Sequence, residues 1–353
     1  IEQYIVAANL ENRTGLTLEN PSISADYMTG RPVSGGNQLD LLAVQGFDFP
    51  SIYSKKKQLA GQQEKLLNLE RERGIQDILL EAKLTILELI YLNQQRNVVE
   101  ERKVSAENIL KNYQHKFDLE QISALDLNKA KIQLLNGQTQ LRSIESAMGV
   151  NTHHLTELNG GIPLSIMDDN YPVTSIVPEF ESINDTIEVH DPNLKWLIQQ
   201  NNTFKTQIDV RKAMALPSFE VGYHYQSVLG QKFNGVHFGV TIPLWENKNM
   251  VKASVANAQF GDVKIEEHKI QHHFEIKELY RNYENLKLAL EEYKMVLEVL
   301  NSEHLLVKSL ELGEINFITY STELQYYYNT IDQYAQLNLD YQIAVAELFK
   351  YQL

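Results

Sequence analysis

The sequence predicts a mainly α chain with a small β part, an internally duplicated bundle of long helices carrying four β-strands. Three patterns carry that expectation. Proline-bounded segments alternate apolar and polar residues, long proline-free stretches after them have helical period, and both patterns occur twice. Asn20-Pro21-Ser22-Ile23-Ser24-Ala25-Asp26-Tyr27 resembles Leu216-Pro217-Ser218-Phe219-Glu220-Val221-Gly222-Tyr223. Gln45-Gly46-Phe47-Asp48-Phe49-Pro50 resembles Phe238-Gly239-Val240-Thr241-Ile242-Pro243. Pro50 lies 72 residues before Ile122 and Pro243 lies 72 residues before Ile315, at the related turns Leu119-Glu120-Gln121-Ile122 and Leu312-Gly313-Glu314-Ile315. Two unrelated coiled coils would not keep that register.

The first repeat spans residues 1–150. It opens inside a helical pattern (Ile5, Ala8, Asn9, Asn12) and reaches a hairpin at about 21–49. Ile23, Ala25 and Tyr27 alternate there, then Leu39, Leu41, Ala43, Phe47 and Phe49, around a Gly30-Pro32-Gly35-Gly36 loop. A helix at about 52–116 follows, with Ile75, Ile78, Ala82, Ile86 and Leu89 on one face, and a returning helix at about 122–148. Residues 151–190 form a connector, non-helical around Asp168 to Asp185, where Pro172 and Pro178 interrupt mixed polar residues. It is expected to lie against the helices as an equatorial belt.

The second repeat spans 191–353. A helix at about 193–215 is entered at Asp191-Pro192-Asn193, followed by a hairpin at about 217–243 with turn chemistry from Gly230 and Gly235. Phe219, Val221, Tyr223 and Tyr225 alternate with Glu220, Gly222, His224 and Gln226, and Val236, Phe238, Val240 and Ile242 with His237, Gly239 and Thr241. A long helix at about 245–312 and a returning helix at about 316–351 complete the chain. In the latter, Leu324, Ile331, Asn338 and Val345 recur at heptad spacing, as do Tyr327, Tyr334, Tyr341 and Leu348, a coiled-coil seam extended by Tyr320. The tyrosines are read as packing residues whose hydroxyls reach water.

The composition excludes several functions. Against 32 Lys and Arg stand 46 Asp and Glu, a net charge of −14, which disfavours nucleic acid and anionic lipid surfaces as partners. The absence of cysteine removes disulfides, thiolate metal sites and cysteine nucleophiles. No phosphate-binding or dinucleotide glycine loop occurs, and neither does Gly-x-Ser-x-Gly or His-Glu-x-x-His, so no enzyme, catalytic residue or cofactor is expected.

The hairpins point to a membrane and an oligomer. A helix of 65 residues is about 98 Å long, whereas a compact globule of 353 residues has a radius of gyration of about 20 Å. Long helices running away from each hairpin leave little to cover its apolar face. The strands have lengths near those that cross a tilted bilayer, and the opposite face carries Asp26, Asp40, Asp48, Glu220, His224 and Thr241. In hydrocarbon such a sheet must close to pair its edges. Four strands cannot close a barrel; three chains supply twelve, around a lumen lined with acid.

The duplicated plan, with Pro217-Ser218-Phe219-Glu220-Val221-Gly222-Tyr223, Phe238-Gly239-Val240-Thr241-Ile242-Pro243-Leu244 and Leu312-Gly313-Glu314-Ile315-Asn316-Phe317, resembles the TolC-type outer-membrane efflux proteins. The resemblance covers essentially the whole chain and rests on the order and spacing of degenerate motifs. It implies a homotrimer with a twelve-stranded barrel in the bacterial outer membrane and a long α-helical tunnel in the periplasm. It also implies a passive exit duct that works with a periplasmic adaptor and an inner-membrane efflux transporter. The first-repeat counterpart of the helix entered at Asp191 would begin before Ile1, together with any lipidated cysteine.

The resemblance also assigns the sites. The turns Leu119 to Leu127 and Leu312 to Tyr320 become periplasmic tips, with Glu120, Ile122, Ser123, Gly313, Glu314, Ile315 and Asn316 docking the adaptor. Gly313 matches the family's turn glycine, whereas Glu120 holds the equivalent place in the first repeat. Asp126 matches a gate carboxylate; Thr319 and Thr322 stand at the other two gate positions and are not acidic, which implies a hydroxyl closure in place of an acid-ring lock. As a helix first-turn carboxylate, Asp126 would also suit the helix dipole. No metal site is expected: His153-His154 and His272-His273 diverge, and His268 and His272, four apart, have only Glu275 or Glu278 nearby in sequence. The alternatives are a periplasmic adaptor, which normally has a single helical hairpin, and a soluble elongated coiled-coil scaffold.

Overall fold

The computed structural model describes residues 2–32, 36–173, 176–245, 248–299 and 302–353. The elements run α1 (Glu2–Asn12), β1 (Ser22–Thr29), β2 (Asn37–Phe47), α2 (Pro50–Asp118), α3 (Ala124–Leu158), α4 (Phe180–His190) and α5 (Pro192–Ala213). Then come β3 (Ser218–Val228), β4 (Gln231–Thr241), α6 (Met250–Val299), α7 (Ser302–Glu311) and α8 (Phe317–Leu348). The chain divides into two compact units, Ile1–Ile75 with His190–His272, and Gln76–Val189 with His273–Leu353. Among the described residues no helix is long and apolar enough to cross a membrane.

In the first unit the four strands form one antiparallel sheet in the order β1-β2-β3-β4, so β1 and β4 are its edges. The β3-β4 turn is Leu229-Gly230, both at positive φ, which matches the right-handed strand twist. Gly235, expected in this turn, instead lies within β4 opposite His224, because two residues suffice to reverse the chain. Gly35, expected in the first hairpin loop, lies outside the described residues.

The register puts Ile23, Tyr27, Leu41, Val221, Tyr223, Val236, Phe238 and Val240 on one face. That face is bare: Ile23 is 80% and Phe238 75% exposed. Asp26, Asp40, Glu220, His224, His237 and Thr241 share the other face. Asp48, expected with them, lies just past β2, where its carboxylate takes Lys56 Nζ at 3.1 Å. In the same unit, α5 is tied to α2 by Lys55 Nζ to Asp209 (3.1 Å) and to α6 by Asn201 Nδ2 to Asp262 (2.6 Å).

Among the described residues the second unit holds three apolar clusters. Ile109, Tyr113, Leu127, Ala130, Leu310, Phe317, Tyr320 and Leu324 form the one at the α2-α3 and α7-α8 turns. Tyr320, 0% exposed, is enclosed here and does not turn its hydroxyl to water as expected, whereas Tyr327, Tyr334 and Tyr341 stay half-buried. The long helix expected over 245–312 is described as α6 and α7, with residues 300 and 301 outside the described residues.

The connector is more helical than its prolines suggest. The helix α3 continues to Leu158, and Phe180–His190 forms α4 because Ile183 and Ile187, one turn apart, bury against Ile276, Tyr283, Val345 and Leu348. Its extended part crosses α2, where Asn93 Nδ2 donates to the carbonyls of Ile166 (3.3 Å) and Asp168 (3.1 Å). Leu324 is 2% exposed, so Leu324→Ala is expected to cost about 3 kcal/mol. Hydrogen exchange should show the loss in the helices around the turns and not in the sheet.

Candidate functional site

Both turns are built the same way. At the end of α2, Glu120 N donates to Phe117 O (2.9 Å) and Gln121 N to Lys116 O (2.9 Å), with Glu120 at φ 58. At the end of α7, Gly313 N donates to Leu310 O (3.2 Å) and Glu314 N to Ser309 O (2.9 Å), with Gly313 at φ 73. Each is a Schellman closure, which satisfies the last helical carbonyls at the cost of one left-handed residue. Glycine adopts that conformation freely; glutamate does not.

The next helices are capped in parallel fashion. Ser123 Oγ accepts from Asp126 N at 3.2 Å and donates to Asp126 Oδ2 at 2.7 Å. Asn316 Oδ1 accepts from Thr319 N (2.9 Å) and from Thr319 Oγ1 (3.2 Å). Thr322 Oγ1 donates back to Ile318 O at 2.9 Å. Each of the three expected gate side chains therefore bonds within its own helix. Lys129 Nζ stands 3.7 Å from Asp126, a second use of that carboxylate.

Among the expected docking residues, Glu120, Ser123, Gly313, Glu314 and Asn316 are exposed. Ile122 and Ile315 instead pack on the apolar cluster beneath and anchor the turns. Among the exposed apolar side chains at the turns, Leu119, Leu125, Leu312 and Ile318 stand at equivalent places in the two repeats. Helical period could have identified them, since Leu125 and Ile318 fall outside the buried stripe of their helices.

Beside the turns, α2, α3 and α8 border a groove of about 580 Å³ lined by Lys129, Gln133, Ile318, Thr322, Gln325 and Arg102. Arg102, its side chain 9% exposed, grips Asp332 through Nη1 (3.0 Å) and Nη2 (2.9 Å). Its guanidinium lies 4.1 Å from the Tyr328 ring, and the Tyr328 hydroxyl donates to Glu303 at 3.0 Å. Burial, with Glu303 beside them, pushes the Tyr320 and Tyr328 phenols up, which keeps both neutral. Sequence reasoning missed this clasp: its partners lie 230 residues apart, and Arg102 sits in a charged run that reads as a solvated face.

On the polar face of the sheet the acids pair with histidines, Asp40 with His224 and Glu220 Oε1 with His237 Nε2 at 3.1 Å. Gly239 lies opposite Glu220, and a side chain there would collide with that carboxylate.

No protein-family model and no curated protein matches the sequence. Solved structures share its fold. The outer-membrane channel OprN is similar with a TM-score of 0.79, over 99% of this chain and 84% of that one, at 10% identity. The CmeC outer membrane channel of Campylobacter jejuni gives 0.74 over 99% and 80% at 15% identity. The outer membrane protein VceC of Vibrio cholerae gives 0.74 over 98% and 89% at 12% identity. The chain has the TolC-type fold. In a TolC-type chain the helices contribute to a tunnel and the strands to a barrel, consistent with a sheet that has two free edges.

Substitutions at the two left-handed positions should act in opposite directions. Glu120→Gly is expected to stabilise the chain by about 0.5–1 kcal/mol, and Gly313→Ala to destabilise it by about 1 kcal/mol. No atom lies within 4 Å of where the added Cβ at Gly313 would be, so the backbone conformation alone sets that cost. Thermal unfolding of the two variants would show it.

Proposed function

We propose that three copies of the chain form an exit duct in the bacterial outer membrane, through which exported solutes pass passively from the periplasm. The observation that carries this reading is the bare apolar face of a sheet with unpaired edges, in a chain of TolC-type fold. Lipid covers such a face, and strands β1 and β4 of neighbouring copies pair to close a twelve-stranded barrel. The acid and histidine pairs of the opposite face then line the lumen. Neither a periplasmic adaptor nor a soluble coiled-coil scaffold accounts for eight apolar strand residues left bare on one face of the sheet.

The tips dock a periplasmic adaptor that links the duct to an inner-membrane efflux transporter. Exposed Leu119, Leu125, Leu312 and Ile318 offer it apolar contact, framed by Glu120, Ser123, Gly313, Glu314 and Asn316. Gating occurs at the same end, where Asp126, Thr319 and Thr322 from three copies ring the opening and the helices untwist to widen it. With only Asp126 acidic, the closure rests on hydrogen bonds and on one carboxylate per copy.

The chain should require detergent to leave the membrane and should elute as a trimer; a monodisperse monomer without detergent would sink the proposal. In planar bilayers Asp126→Ala should raise conductance. Ser123→Ala removes the helix cap that Asp126→Ala leaves in place, worth about 1 kcal/mol, but keeps the charge, and should raise conductance less. Equal conductance in Asp126→Ala and the parent would remove Asp126 from the gate.

A further inference from the structure

We propose that Asp191, His268 and His272 bind a divalent metal ion of the zinc class, a site independent of the duct and its gate. Among the described residues these three form a cluster whose ligand atoms all lie within 4.8 Å of one another. Asp191 is the N-cap of α5: its Oδ1 accepts from Asn193 N at 2.8 Å, which fixes the side chain and leaves Oδ2 directed at α6. There Oδ2 meets His268 Nε2 at 2.6 Å and His272 Nδ1 at 3.5 Å.

The histidines are one helical turn apart, and their rings stack with centroids 5.2 Å apart and planes inclined by 17°. Stacking turns a nitrogen of each ring toward the same carboxylate oxygen. For tetrahedral zinc with bonds of about 2.0–2.1 Å, neighbouring ligand atoms lie about 3.3 Å apart. The His272 distance is already near that value, and the His268 distance needs less than 1 Å of opening.

Burial and charge point the same way. The Asp191 side chain is 3% exposed, and those of His268 and His272 are 21% and 10% exposed. No lysine or arginine bonds to Asp191 among the described residues, and a divalent cation between the three ligand atoms would neutralise the buried carboxylate. Two imidazoles and one carboxylate suit zinc better than magnesium or calcium, which favour all-oxygen sites. Water would complete the coordination. The bound ion would pin the start of α5 to α6, adding a crosslink where the chain has no cysteine to provide one.

The test uses the full chain in detergent, stripped with EDTA and dialysed. Titration calorimetry with zinc chloride should give one ion per chain, and cobalt(II) should develop the visible bands of tetrahedral coordination. His268→Gln, His272→Gln and Asp191→Asn, the last retaining a good helix cap, should each weaken zinc binding at least tenfold. His153→Gln with His154→Gln should leave it unchanged. Absence of zinc heat and of cobalt bands in the parent would overturn the proposal, as would undiminished binding in the three variants. Equal displacement of cobalt by magnesium would overturn the zinc assignment. Should His272→Gln lose helical circular dichroism, the more exposed His268→Gln carries the test.

Discussion

Every backbone N–H and C=O needs a partner, and the four-stranded sheet leaves two rows of them, at β1 and β4, without a neighbouring strand among the described residues. The rest of the molecule is organised around that deficit. The strands alternate, so the face that cannot bind water is continuous across all four of them, from Ile23 to Phe238 and Val240. A chain that paired its own edges would need more strands. Under the proposed assembly the missing partners are further copies of the same chain, and the duplication follows naturally: two hairpins per copy are needed to reach a barrel of useful width with three copies.

At the two helix turns the governing constraint is different. Two helices must each stop, turn and be followed by another, and the turn must expose neither open carbonyls nor its apolar interior. Both repeats solve this with a left-handed residue, a polar cap three residues later, and an inward isoleucine, Ile122 or Ile315. The solutions differ only in side chains. Glu120 tolerates a conformation that Gly313 adopts without strain, and Asp126 brings a charge where Thr319 brings a hydroxyl. The two repeats therefore present unlike surfaces on the same backbone.

The polar networks show how little of the charge pattern is decorative. Arg102 and Asp332 stand in helices whose acidic and basic residues look interchangeable, yet their bidentate pair is largely enclosed and stacks on Tyr328. Asp191 reads in the sequence as a helix cap, which it is, but its second oxygen meets two histidines that arrive 77 and 81 residues later. In each case one side chain does a local task that is visible in sequence and a distant one that is not.

The sequence by itself determined the elements: period two marked the strands, period 3.6 and the missing prolines marked the long helices, and a repeated register placed the turns. Those are short-range consequences of backbone sterics and of which face must avoid water, so they survive without knowledge of neighbours. The helix α4 escaped because eleven residues hold few turns of periodicity, and Pro178 just before them suggested a break. Only the tertiary structure decided which side chains meet: the Arg102 clasp, the cluster at Asp191, the enclosure of Tyr320, and the inward turn of Ile122 and Ile315. Periodicity tells which way a residue faces, whereas its partner depends on how two helices are set in register, a choice made by packing over the whole length of their contact.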